Sequence, residues 1–195
     1  MPITQFISYY CKGYKNFLKK HIAEKRPPFF FILLWIYGAG LMLDRMAAQG
    51  AVDDWASAWG IVLLLGIVSG YIGYFILGSW YHLRVWLAGG EKKWRISCNL
   101  WLYAGMPIFS VWLLLKIMAM AQYGNAYFKM AMAPFSALTL VLLLLAVLYS
   151  VYLSYTGVVL IQKTKPVRSV IFFIALPVLF YFSLYGFLGL ASMNS

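Results

Sequence analysis

Arg84-Val-Trp-Leu-Ala-Gly-Gly-Glu-Lys-Lys-Trp-Arg95 is a compact basic loop set between two long apolar runs. Runs of that length and apolarity read as membrane spans, and cations in a short loop between two spans fix which side of the bilayer the loop faces. Composition agrees with this reading. Hydrophobic residues make up 64% of the chain and charged residues 11%, about half the charged share of a soluble domain. A surface so poor in charge needs lipid as part of its solvent. With 195 residues the chain has room for a single membrane domain.

Working outward from the loop, apolar runs cover Trp59 to Tyr81 before it and Leu100 to Ala121 after it. Three more lie at Pro28 to Leu43, Ala131 to Ile161 and Val170 to Ala191. The first of these three is short for a span, and the second is longer than needed, so it is expected to tilt or project. The sequence therefore predicts an all-α protein with a five-helix transmembrane domain over residues 27–195, preceded by a basic amphipathic interfacial helix over 1–26. The first twenty residues are Lys-rich rather than uniformly apolar, which argues against a cleaved signal peptide.

Cations set the orientation. Lys12, Lys15, Lys19, Lys20, Lys25 and Arg26 precede the first span. Arg84, Lys92, Lys93 and Arg95 lie between the second and third, and Lys163, Lys165 and Arg168 between the fourth and fifth. Thirteen of the sixteen Lys and Arg residues thus share one side, leaving Arg45, Lys116 and Lys129 with Asp44, Asp53 and Asp54 for the other. The predicted N-terminus is cytoplasmic and the C-terminus external. The net charge of +11 follows from topogenesis and attraction to anionic headgroups, so nucleic acid is not an expected partner.

In the N-terminal segment, Ile3, Phe6, Ile7, Tyr10, Tyr14, Phe17, Leu18 and Ile22 recur at three- and four-residue steps. On a helix they share one face, with Lys12, Lys15, Asn16, Lys19 and Lys20 opposite. Such a face suits either the cytoplasmic headgroup layer or the protein's own cytoplasmic surface. Pro27 and Pro28 mark the boundary with the first span.

Catalytic and metal constellations find little support. Cys11, Cys98, His21 and His82 fall on the cytoplasmic side at spacings that match no zinc pattern. The histidines are separated by topology from the three external acids, and no acid is expected mid-span. No metal, cofactor or enzymatic activity is expected. Lys116, near the outer end of the third span, is expected to snorkel. Gly66, Gly70 and Gly73 form a small-residue stripe of the kind that lets helices approach closely, either within the chain or in a homo-oligomer. Pro107 and Pro177 are expected to bend their helices or open them locally.

Five spans with a cytoplasmic N-terminus resemble the Yip (Ypt-interacting protein) domain family. The resemblance is carried by the glycine-rich second span, Gly89-Gly90 with Trp94 four positions on, and Leu102-Tyr103-Ala104-Gly105-Met106-Pro107. Gly157, the short basic loop from Gln162 to Arg168, and Pro177 extend it, so that it covers roughly residues 27 to 190. The compact form, without the Asp-Leu-Tyr-Gly-Pro motif of eukaryotic members, is similar to the bacterial branch. The resemblance implies a five-span fold in a bacterial inner membrane and a scaffolding or lipid-related role.

The residues of the loop carry a physical reading of their own. Gly89 and Gly90 are able to take positive φ and stop the second span where it leaves the bilayer. Lys92, Lys93 and Arg95 then sit at headgroup depth with Trp94 as an anchor. Together with Lys12, Lys15, Lys19 and Lys20 they form a candidate site for anionic phospholipid or a membrane-protein partner. Two function classes follow: a non-enzymatic module that binds lipids or proteins at the cytoplasmic face, and a small transporter or lipid-translocating protein with a path through the bundle.

Overall fold

The computed structural model describes residues 3–23, 27–50, 52, 54–129 and 137–179, and all regular structure among them is helical. Two short helices, α1 (Ile3–Lys12) and α2 (Tyr14–His21), meet at Gly13. They are followed by α3 (Phe30–Gln49), α4 (Trp55–Leu87) and α5 (Trp94–Tyr123), the last running into a 3-10 turn at Gly124–Lys129. Next come α6 (Ala137–Ile161) and the short α7 (Pro166–Val170), which continues into a π-helical turn at Ile171–Ala175.

Four helices, α3 to α6, are long and apolar enough to cross a membrane. Leu64 on α4 and Leu138 on α6 are 76% and 69% exposed, surface that calls for lipid rather than water. The helices outrun the apolar runs. The second span, expected over 59–81, belongs to a helix of 33 residues, about 50 Å long at 1.5 Å per residue. Asp54 extends its start, because its carboxylate accepts the Ser57 backbone N–H at 2.9 Å as an N-cap. The first span, expected to stop at Leu43, continues to Gln49 and takes in Asp44. Asp44 is accommodated by an ion pair with Lys116 of α5. Lys116 therefore does not snorkel; it is buried, with its ammonium 5.2 Å from the Trp112 ring. Of the expected fifth span, residues up to Leu179 are described and helical, and the remainder to Ala191 lies outside the described residues.

The glycine stripe faces α3. A methyl group on Gly70 would strike the backbone of Leu34, and one on Gly38 would strike the backbones of Gly66 and Gly70. Gly66 lies under the Trp35 ring and Gly73 under the Tyr37 ring. The two helices are thus in backbone contact, which small residues permit.

The N-terminal segment, expected as one interfacial helix with its apolar face in the headgroup layer, instead turns that face, from α1 and α2, onto the protein itself. Phe6, Tyr10, Tyr14, Phe17, Leu18 and Ile22 are all buried, with Phe17 against Tyr103 of α5 at 5.4 Å between ring centroids. A backbone defect explains part of this docking. Pro107 lies inside α5 and has no N–H to give to the carbonyl one turn back, that of Tyr103. The Tyr10 hydroxyl donates to that carbonyl at 2.5 Å. The Tyr103 hydroxyl in turn donates to the carbonyl of Pro28 at 2.5 Å, fastening the entry to α3. Pro177 presents the same problem in a π-helical setting. The N–H of Leu176 bonds the carbonyl of Ile171, so the next bond of that pattern would need an N–H on Pro177. The carbonyl left over, that of Phe172, accepts from Nε of Arg84 at 2.9 Å and also from its Nη2.

Candidate functional site

α4 ends as its sequence requires. Gly89 takes φ +76, its N–H bonds the carbonyl of Trp86 at 2.9 Å, and the N–H of Gly90 bonds Val85 at 3.0 Å. This pair of bonds is a Schellman motif with glycine in the left-handed position. Positive φ is confined to Gly89 of the two glycines. Gly90 is small for another reason: a side chain there would strike Val85 and Thr164.

The loop after Gly90 pairs with the loop after α6. Glu91 N–H bonds the carbonyl of Gln162 at 2.8 Å, and Lys165 N–H bonds that of Ala88 at 3.2 Å. Glu91 also bridges the loops through its carboxylate, 2.6 Å from Lys93 and 3.0 Å from Lys163. Hydrogen bonds from Lys93 and then Lys163 hold its carboxyl below the usual glutamate range. Underneath, Gln162 is fully buried with its amide 2.9 Å from the Ser97 hydroxyl, which is itself 2.9 Å from Nδ1 of His82. Ser169 closes the other side by donating to Thr164 at 2.6 Å. Two basic loops are in this way joined into one cap.

The N-terminal segment is tied to the same cap. Arg95 Nη2 donates to the carbonyl of Ala23 at 2.9 Å. Ala23, Lys93, Trp94, Arg95 and Ile96 line an open cavity of about 310 Å³ at this junction. Trp94 is fixed as its floor, stacked on Phe75 at 5.6 Å and donating from Nε1 to Ser79 at 3.0 Å. Lys92 extends over the Trp86 ring at 6.0 Å. Lys12, Lys15, Lys19 and Lys20 are exposed on α1 and α2 and make no ion pair among the described residues.

Of the residues singled out from sequence, Lys93, Trp94 and Arg95 surround one cavity, and Gly89 and Gly90 shape the loop that carries them. Gly66, Gly70, Gly73 and Pro107 lie in the bundle, away from the cap. Cys11 is exposed and Cys98 buried, and the described residues hold no grouping of three or more His, Cys, Asp or Glu side chains able to hold a metal. The sequence reading missed Gln162, Ser97, Thr164 and Ser169, all buried, which fasten the cap from below. Their signal was present as polar residues placed at span ends.

Comparison of the chain with protein-family models, with curated proteins and with solved structures finds no match.

Proposed function

We propose that this is a non-enzymatic, multi-pass protein of the bacterial inner membrane, resembling the Yip family, whose basic cap holds anionic phospholipid at the cytoplasmic face. The observation that carries the proposal is the junction of Ala23 with Lys93, Trp94 and Arg95. Lys93 and Arg95 border one open cavity with the Trp94 indole between them in the chain, and Ala23, from a separate chain segment, lines it too and accepts from Arg95. A phosphate there gains charge-assisted hydrogen bonds, and each cation near the surface adds about 1 kcal/mol of attraction to an anionic leaflet. Arg95 spends one N–H on a neutral carbonyl, so its charge is not cancelled by that bond. Protein partners with an acidic face would use the same cations.

The charge distribution supports a cytoplasmic cap. Reporters inserted between Lys163 and Arg168 are expected to read as cytoplasmic and a reporter after Ser195 as external; a cytoplasmic C-terminus contradicts the five-span arrangement. For the function, native mass spectrometry of the protein with bound phospholipid is the test. Lys92→Gln, Lys93→Gln and Arg95→Gln together should lower retention of anionic phospholipid, with a difference that shrinks as salt rises. Equal retention by the triple variant reduces these cations to orientation signals.

A further inference from the structure

Two residues along α3 from the point where Gly38 meets α4, the packing changes completely. Gly40 is buried, yet a Cβ built on it meets nothing within 4 Å among the described residues. The space beside it is a cavity of about 320 Å³ bounded by α3, α4, α5, α6 and the π-helical turn. That volume falls at the lower end of the range for small-molecule pockets.

Most of the wall is apolar, with Tyr37, Phe109 and Trp112 along it. Polar groups are few and specific. Ser150 of α6 lines the cavity at 5% exposure, and its hydroxyl has no hydrogen-bond partner among the described residues. A helical serine ordinarily returns its hydroxyl to a carbonyl one turn back, so a buried hydroxyl left without any partner needs an explanation. One turn along, Ser154 donates to the Tyr81 hydroxyl at 2.8 Å. Arg84 completes the set. Its guanidinium lies 4.5 Å from the Phe173 ring and carries the one charge among the described lining residues.

We propose that this cavity binds a single-chain anionic amphiphile, a fatty-acid-like carboxylate. The carboxylate sits between Arg84 and the Ser150 hydroxyl, and the hydrocarbon chain lies past Gly40 against Tyr37, Phe109 and Trp112. The choice of an anion follows from charge complementarity. A cation bordering an apolar cavity is screened far less than one in water, and it favours an acceptor of opposite charge. The choice of a chain follows from the wall, whose apolar surface a hydrocarbon covers favourably. Gly40 is then glycine because a side chain would occupy the path of the tail.

This site is separate from the basic cap and does not depend on it. The test is native mass spectrometry of the whole protein titrated with dodecanoate, with dodecanol as the uncharged control. The wild type should take up one dodecanoate saturably, with dodecanol at least tenfold weaker. Gly40→Leu starts from a Cβ position that meets nothing within 4 Å, places its side chain in the cavity, and should lower dodecanoate affinity at least tenfold. Ser150→Ala removes only the unpartnered hydroxyl, so it should melt like the wild type while binding dodecanoate several-fold more weakly. The triple variant of Lys92, Lys93 and Arg95 should bind dodecanoate normally, which separates this site from the cap. Absence of a saturable adduct in the wild type, equal binding of alcohol and carboxylate, or wild-type affinity in a normally folded Ser150→Ala or Gly40→Leu overturns the proposal.

Discussion

Along the α3–α4 contact, Gly38, Gly66 and Gly70 bring two backbones together with no room for a methyl group at Gly38 or Gly70. At the cap, exposed Lys92, Lys93 and Arg95 ride on a loop fixed by a handful of hydrogen bonds and the carboxylate of Glu91. Within the bundle Lys116 pairs with Asp44, whereas the cap gathers cations in excess of its acids. Interior groups are held by close approach and have no tolerance for added volume. Cap groups keep their charge exposed. Stability and binding are thus expected to separate by region, and variants in each place should move one quantity and spare the other.

The largest expected effect is in the helix contact. Gly70→Leu forces α4 away from the Leu34 backbone and should cost about 3 kcal/mol or more, at the upper end for overpacked cores. Thermal melting in detergent reads this directly. A wild-type melting temperature would mean that the backbone contact at Gly70 does not carry stability. A smaller effect is expected at the repaired proline. Tyr10→Phe keeps the ring but removes the hydroxyl that serves the Tyr103 carbonyl beside Pro107, and should cost about 1–2 kcal/mol. Protease sensitivity of residues 3–23 should rise in parallel, because that bond helps to dock α1. Unchanged melting and unchanged cleavage would place the docking energy in the apolar face alone.

Much of the helical architecture was legible because apolar runs and basic loops are local signals. The cores of α3 to α6 follow the runs, and the stop at Gly89 follows from the only residue type that takes its conformation readily. The helix ends were less legible. α3 passes Leu43 because Asp44 finds Lys116, a partner 72 residues away that periodicity cannot register. The direction of the N-terminal apolar face was equally hidden: the same spacing of Phe6, Tyr10, Phe17 and Leu18 suits lipid or protein. Tertiary burial against Tyr103 decides it. At the candidate site, the cations and Trp94 were legible as a cluster on one side. Their junction with Ala23 was not, nor was the support from Gln162, since both depend on loops far apart in sequence. Glycine was the least informative residue alone. Gly38 and Gly40 are two positions apart on one helix, the first in backbone contact and the second beside a void.

The separation of stability from binding is tested most directly by the shift in melting temperature when anionic phospholipid is added. A ligand that binds the folded state alone stabilises it by an amount set by its concentration relative to Kd, on the order of 2–3 kcal/mol at a hundredfold excess. For a chain of this length that corresponds to a rise of roughly 5 °C or more in the wild type. The variant lacking the charges of Lys92, Lys93 and Arg95 should start near the wild-type melting temperature without lipid and show little of the rise. A rise equal to that of the wild type would contradict the account and remove the basic cap as a lipid site.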